Sequence, residues 1–176
     1  MNNINRKEKV LYDSWYEYLM EKGPYKYFIT LTYSVNKISK EEYQSRVKHL
    51  FNFLNKSLYG NKGSVACREK SGKYIQGFLM HEYKLGLYHC HFLMTHKCLE
   101  GVSNDLLRIH GVLWKVNQQH KKLFSDAHVQ EVFDQGRVVS YLLKQKKRVT
   151  DGDGLEILMP YGLSGSSPIL ENQRGF

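Results

Sequence analysis

Residues 77–97, GFLMHEYKLGLYHCHFLMTHK, decide the fold. Apolar and polar side chains alternate on both sides of Leu85-Gly86, which is the pattern of two β-strands joined by a two-residue turn. Alternate side chains of a strand face opposite sides of a sheet, so His89 and His91 share one face. The intervening residues are apolar and should face the core. The segment therefore predicts an antiparallel hairpin with two histidines side by side on the exposed face.

The position of the turn predicts the pairing of the two strands. With Leu85-Gly86 at the turn, Glu82 pairs with His89 and joins the histidine face, while His81 faces the core. A slip of one residue would exchange Glu82 for His81, so His81 stays open as the alternative. Two imidazoles and one carboxylate on one face could bind a divalent cation. The other interpretation is a pair of ordinary surface histidines.

Helices and further strands surround this hairpin. The aromatic and β-branched run YKYFITLTY at residues 25–33 predicts a strand, and residues 64–69 and 127–133 predict two more. Apolar periodicity and capping signals predict helices over residues 5–21, 39–58, 104–119 and 136–149. Antiparallel strands with flanking helices indicate an α+β fold. We expect one domain over residues 1–150, including the N-terminal helix, and a tail or extension over 151–176.

The chain of 176 residues is basic, with 26 Lys and Arg against 17 Asp and Glu and a net charge of +9. Such a surplus indicates a polyanionic partner, most commonly nucleic acid. The 13 tyrosines suit base stacking, although they also suit a β-rich core. The sequence shows neither a long apolar run nor an apolar signal core, so we expect a cytoplasmic protein. Three cysteines without a CxxC pair argue against a structural zinc site.

A second segment with candidate catalytic residues is YLLK at residues 141–144. Tyr141 and Lys144 are three positions apart on a predicted helix and therefore share a face. A phenol can attack a phosphate when neighbouring positive charge favours its ionised form. The alternative is a tyrosine that packs beside a solvated lysine. The same spacing recurs at Tyr59 and Lys62, but in a glycine-rich loop where it fixes no geometry.

Three segments in this order resemble the motifs of the HUH endonucleases: FITLTY at 28–33, EYKLGLYHCH at 82–91 and YLLK at 141–144. The resemblance is closest to the rolling-circle replication initiators (Rep proteins) of plasmids and small single-stranded DNA genomes, in the class with one catalytic tyrosine. It spans about residues 26–148. It implies an antiparallel sheet of about five strands in a ferredoxin- or RRM-like arrangement. It also implies helices on one face and the tyrosine helix over the histidines.

The resemblance implies a role for each motif residue. Glu82, His89 and His91 would be the ligands of Mn²⁺ or Mg²⁺, Tyr141 the nucleophile and Lys144 the motif lysine. The implied reaction nicks single-stranded DNA at a replication origin, leaves a 5′-phosphotyrosine and a free 3′ hydroxyl, and rejoins strands in reverse. The implied partners are the host helicase and polymerase, with no membrane and no small-molecule cofactor. If the gene belongs to a virus or plasmid, the location would be the host cytoplasm.

Further residues are predicted to contact DNA through hydroxyl or positive groups. They are Thr30, Thr32, Lys62, Arg68, Lys70, Lys73, Lys146, Lys147 and Arg148. For the charged ones, the alternative is a solvated surface. Two other functions stay open: an HUH transposase or relaxase with the same chemistry, and a non-catalytic RRM-like nucleic-acid-binding module.

Overall fold

The computed structural model describes residues 6–33, 38–84, 87–119, 124–146 and 155–158. Within these ranges the helices are α1 (Arg6–Lys22), α2 (Lys40–Tyr59), α3 (Arg68–Ser71), α4 (Asp105–Gln119) and α5 (Gln135–Lys146). The strands are β1 (Tyr25–Tyr33), β2 (Gly77–Lys84), β3 (Leu87–Thr95), β4 (Phe124–Glu131) and β5 (Leu155–Leu158). The predicted α+β class is confirmed.

Four long antiparallel strands form the body of the sheet in the order β4-β1-β3-β2, and the short β5 pairs with the outer edge of β2. Four strands are therefore long, and β5 brings the sheet to five strands in all. The strand predicted over residues 64–69 is not formed. There the amides of Cys67 and Arg68 both bond to the carbonyl of Ser64, at 3.0 and 2.9 Å, which closes a turn leading into α3. β5 brings a segment of the predicted C-terminal extension onto the sheet.

Helices pack on both faces of the sheet, whereas the resemblance implied one face. α2 and α4 cover the larger apolar cluster on one side, while α1 and α5 cover a second cluster on the other. The reason lies in the half of the hairpin away from its turn. There Leu79 faces the first cluster, and its neighbours Phe78 and Met80 face the second. Strands that are apolar on both faces become buried on both.

A buried carboxylate connects α4 to β1. Asp105 accepts hydrogen bonds from Lys26 Nζ at 2.5 Å and from the Tyr27 hydroxyl at 3.1 Å. Burial raises the pKa of Asp105, but the bonds from Lys26, from the amide of Leu106 and from Tyr27 outweigh it, and the pKa is lowered overall. The charged form of Asp105 therefore contributes to the attachment of α4.

Among the described helices, none has the length and apolar character to cross a membrane.

Candidate functional site

β2 and β3 pair in the register predicted from the turn. Glu82 lies opposite His89, and Met80 lies opposite His91. The two turn residues themselves fall outside the described ranges, but the pairing on both strands fixes the result. Glu82, His89 and His91 therefore share one face of the sheet, and His81 belongs to the other face.

His81 is part of the core beneath α2. Its Nδ1 lies 2.7 Å from the hydroxyl of the buried Tyr43, and that hydroxyl donates to the backbone carbonyl of His89 at 3.0 Å. His81 thus supports β3 from behind the histidine face. The open choice between Glu82 and His81 is resolved in favour of Glu82 as the group that faces the two histidines.

The histidine face is only partly exposed, so the prediction of an open face is wrong at its centre. His91 is 3% exposed and Glu82 is 6% exposed, whereas His89 is half-buried. Phe28 and Met80 lie on this face beside them and belong to the cluster beneath α5. The helix that carries Tyr141 therefore closes one side of the site, and His89 lies at its more accessible end.

The surroundings of His91 hold its imidazole in the neutral form. Burial lowers the pKa of His91, and the nearby carboxylate of Glu82 only partly opposes this effect. Its Nε2 lies 3.4 Å from Oε2 of Glu82, and the Phe28 ring stacks parallel to it with centroids 5.8 Å apart. A neutral imidazole can offer a nitrogen lone pair to a cation.

Two threonines of β1 hold the imidazoles from the adjacent strand. Thr30 Oγ1 lies 3.2 Å from Nδ1 of His91, and Thr32 Oγ1 lies 3.1 Å from Nδ1 of His89. Each contact joins direct partners in the β1–β3 ladder. Both threonines were predicted to contact DNA, but their hydroxyls are directed at the histidines. In both rings Nδ1 is engaged by a hydroxyl and Nε2 is the remaining nitrogen.

Tyr141 lies beside this pair of strands on α5. Its ring is 5.9 Å from the rings of both Phe28 and His91, edge-on to each, and the residue is 45% exposed. Its hydroxyl makes no hydrogen bond within the described part of the chain. The phenol oxygen is therefore open to a ligand while the ring is held by its neighbours.

Lys144 follows one helical turn later and is exposed. It is therefore on the same helix as the candidate nucleophile, about 4.5 Å further along the helix axis.

The donor set of this face suits a divalent cation in its chemistry. A carboxylate oxygen and two imidazole nitrogens are ligands for Mn²⁺, and Mg²⁺ prefers more oxygen. Among the described residues, however, no group of three His, Cys, Asp or Glu side chains is gathered at one point. Glu82 and His91 are in contact, with Oε2 3.4 Å from Nε2. These two residues and His89 are the ones on this face that would hold a cation.

Sequence reasoning missed two side chains that complete this face. In the pairing of β1 with β4, Thr30 lies opposite His128 and Thr32 lies opposite Asp126, so both new residues share the histidine face. Both are exposed on the edge strand. Their alternation was visible in the sequence, but the predicted strand began at residue 127 and nothing indicated its partner. These side chains extend the polar face across β1 to the sheet edge.

Only some of the basic residues that were predicted to contact DNA lie on the surface. Lys62, Lys70 and Lys73 are exposed, but Arg68 is 2% exposed and donates to Asn52 Oδ1 at 3.0 Å. A buried guanidinium bonded in this way does not lie on a phosphate-binding surface, so Arg68 has a structural position.

The connection that carries these side chains is also distant from the histidine face. It enters β2 at Gly77, and Glu82 lies five residues further along the strand. This separation is about 17 Å at the usual rise of a strand. Lys146 ends α5, and its side chain is outside the described part of the molecule, as are Lys147 and Arg148.

Comparisons with protein-family models, with curated proteins and with solved structures give no match to this chain. Its function is therefore inferred from the chemistry of the site.

Proposed function

We propose that this chain is a single-stranded DNA endonuclease and strand transferase of the HUH type, acting as a replication initiator with Tyr141 as its nucleophile. The observation that carries the proposal is the contact between the rings of Tyr141 and His91, 5.9 Å apart. A candidate nucleophile and a candidate cation ligand, 50 positions apart in the sequence, thus lie side by side.

The arrangement of the elements supports a ferredoxin- or RRM-like fold. From β1 to β4 the long elements follow the order β-α-β-β-α-β, which is the ferredoxin-like sequence of elements. α2 and α4 cover one face of that unit, as this fold requires. α1 and α5 are additions to its other face. In this proposal, α5 exists to bring the tyrosine over the histidines.

Tyr141 has the exposure and freedom that a nucleophile needs. Its oxygen Oη would attack the phosphorus of a DNA phosphodiester, and the bond from phosphorus to the 3′ oxygen would break as the new bond forms. The phenol proton is lost to solvent, and the departing 3′ oxygen takes up a proton. The products are a 5′ phosphate on Tyr141 and a strand with a free 3′ hydroxyl. Attack by that hydroxyl in the reverse direction rejoins the strand.

Glu82, His89 and His91 would hold the divalent cation. When bound, the cation polarises the phosphodiester and offsets the negative charge that builds on its oxygens. The protein residues contribute position: the ladder between β1 and β3 fixes both imidazoles, and α5 shields His91 from bulk water. Lys144 adds positive charge on the same helix as the nucleophile.

A labelling experiment tests the proposal directly. The protein is incubated with Mn²⁺ and a randomised single-stranded DNA library that carries a label at the 3′ end, and the products are separated on a denaturing gel. Since the enzyme keeps the 5′ phosphate of the downstream fragment, the 3′ label should move with the protein. A parallel library labelled at the 5′ end should leave the protein unlabelled.

Other results would point elsewhere. Transfer of the 5′ label would contradict the proposed polarity of attack. DNA binding without any adduct, with either label and with either Mn²⁺ or Mg²⁺, would favour the non-catalytic RRM-like module. Sequencing of the attached fragments would give the preferred nicking site.

A further inference from the structure

We propose that Thr30 and Thr32 are positioning residues that hold the imidazoles of His91 and His89 by a hydrogen bond to Nδ1, and so leave Nε2 of each ring for the cation. The inference rests on the proposed function, because it concerns the cation ligands named there. It gives the two threonines of FITLTY a role in the site in place of the predicted contact with DNA.

The geometry is the same at both positions. Each threonine lies directly opposite its histidine in the β1–β3 ladder, and each hydroxyl lies 3.1–3.2 Å from Nδ1 of that histidine. The two contacts are two residues apart along both strands, so the ladder itself repeats the arrangement. A chance approach of one surface hydroxyl would not recur in this way at the neighbouring pair.

Without a cation, Nε2 of His91 lies 3.4 Å from Oε2 of Glu82, and Nδ1 lies 3.2 Å from the hydroxyl of Thr30. A hydroxyl can donate a hydrogen bond to Nδ1 or accept one from it. Thr30 can therefore hold the ring in either tautomer.

A cation held by Nε2 of the neutral ring would leave the ring proton on Nδ1. The hydroxyl of Thr30 would then accept a hydrogen bond from Nδ1–H. A hydroxyl can serve in both states, whereas a carboxylate or carbonyl accepts only and would favour the second state alone.

The same reasoning explains why threonine suits these positions. Valine has nearly the same shape and suits a strand equally well, but it can neither donate nor accept. Thr→Val at either position therefore removes the hydrogen bond with little change in packing. Thr→Ser keeps the hydroxyl and is the conservative rescue.

The first readout is the Mn²⁺ affinity of the DNA-free protein. It is measured from the electron paramagnetic resonance signal of unbound Mn²⁺. Thr30→Val and Thr32→Val should each raise the Mn²⁺ Kd about 10–100-fold, while the serine variants should stay within about threefold of the parent. Thr95→Val is the matched control. Its hydroxyl donates to the carbonyl of Gln76 at 3.2 Å, at the other end of β3, and its loss should leave the Kd unchanged.

The ¹⁵N chemical shifts of the imidazoles give a second readout, which a purely structural role would not move. In the parent protein, addition of a diamagnetic divalent cation should shift the ¹⁵N resonance of Nε2 of His91 and leave the ring proton on Nδ1. In folded Thr30→Val this change should be weaker at the same cation concentration, and in Thr30→Ser it should be retained.

The outcomes separate the two proposals. Parent-like Kd values and imidazole shifts in folded Thr30→Val and Thr32→Val would overturn the positioning role and leave the proposed nicking activity untouched. A parent protein that binds no divalent cation would overturn the proposed cation site and the positioning role together. Failure of the Tyr141 adduct alongside the expected threonine effects would overturn the nuclease only.

Discussion

The phenol ring of Tyr141 meets the imidazole of His91 edge-on, with ring centroids 5.9 Å apart and ring planes at 85°. Phe28 contacts both rings from β1, so a helix and two strands meet at this point. The tyrosine is held through its ring and not through its hydroxyl. Its oxygen can therefore react without first breaking a hydrogen bond to the described protein.

Replacing Tyr141 with Phe should abolish the covalent adduct and leave DNA binding within about threefold of the parent, because only one exposed hydroxyl is lost. The free energy of unfolding should change by no more than about 0.5 kcal/mol for the same reason. Adduct formation on a denaturing gel, DNA binding by fluorescence anisotropy and unfolding in urea check the three parts.

Tyr83→Phe is the matched control, since Tyr83 is also an exposed tyrosine, at 61%, but lies on β2. It should form the adduct normally. An adduct that persists in Tyr141→Phe would require another nucleophile. Tyr59, which shares the spacing to a lysine, is a poor one: its hydroxyl donates to the carbonyl of Cys98, and burial raises its pKa.

Alanine substitutions on the two faces of the hairpin should have different effects, on cation binding for the histidine face and on stability for the core face. Ala at Glu82, His89 or His91 should each weaken Mn²⁺ binding and nicking by at least about tenfold, since each removes a ligand. His81→Ala should keep Mn²⁺ affinity but lower the free energy of unfolding by about 1–3 kcal/mol, because the buried Tyr43 hydroxyl loses a partner. Unchanged Mn²⁺ affinity in Glu82→Ala would show that the carboxylate is not a ligand.

The hairpin at the centre of the site could be predicted from sequence because the residues that determine its pairing lie close together in the chain. Leu85-Gly86 and the alternation around it fix which residues pair, and the observed pairing of Glu82 with His89 follows. Element types were predicted correctly for the four long helices and for the long strands, where the periodicity is strong. The strand predicted over residues 64–69 failed because a short apolar run does not distinguish a strand from a turn.

Features that depend on contacts between distant parts of the chain could not be predicted from sequence. The alternation predicted that His91 is on the face opposite the core, but it could not show that α1 and α5 build a second core there. For the same reason His128 was missed, since only the pairing of β4 with β1 brings it to Thr30. Arg68 looked like a surface charge because sequence does not show that Asn52 accepts its hydrogen bond.

The stability of the fold should fall in acid partly through Asp105. Its pKa is lowered in the folded state, so its contribution is full above the unfolded value of about 3.9 and is lost as pH falls through the folded value. Asp105→Asn should cost about 1–3 kcal/mol at pH 7, and the difference from the parent should shrink below about pH 4. Urea unfolding at several pH values measures it. A difference that stays constant from pH 7 to pH 2 would contradict the role of the charge.

DNA affinity should decrease steeply with salt. A domain of net charge +9 that contacts about five phosphates of a single strand should give a log–log slope of roughly −3 to −4. Anisotropy titrations between low and physiological salt give the slope. A flat response would indicate that the positive charge does not contact DNA and would favour a protein or small-molecule partner.

Lys144 should matter for rate more than for binding. It is exposed and lies one turn beyond Tyr141 on α5. There its charge gains importance as negative charge builds on the phosphate, and loss of one such group typically slows a reaction by about 10²–10³. Lys144→Ala should therefore slow nicking by that factor while DNA affinity changes only slightly. Lys144→Arg should recover only part of the rate, because a planar guanidinium does not fully replace a compact ammonium.

Lys115→Ala, at an exposed lysine of α4 on the other side of the sheet, is the control and should have no effect on rate. Equal and small effects of Lys144→Ala and Lys115→Ala would mean that Lys144 is only part of a basic surface, and YLLK would then have no mechanistic meaning.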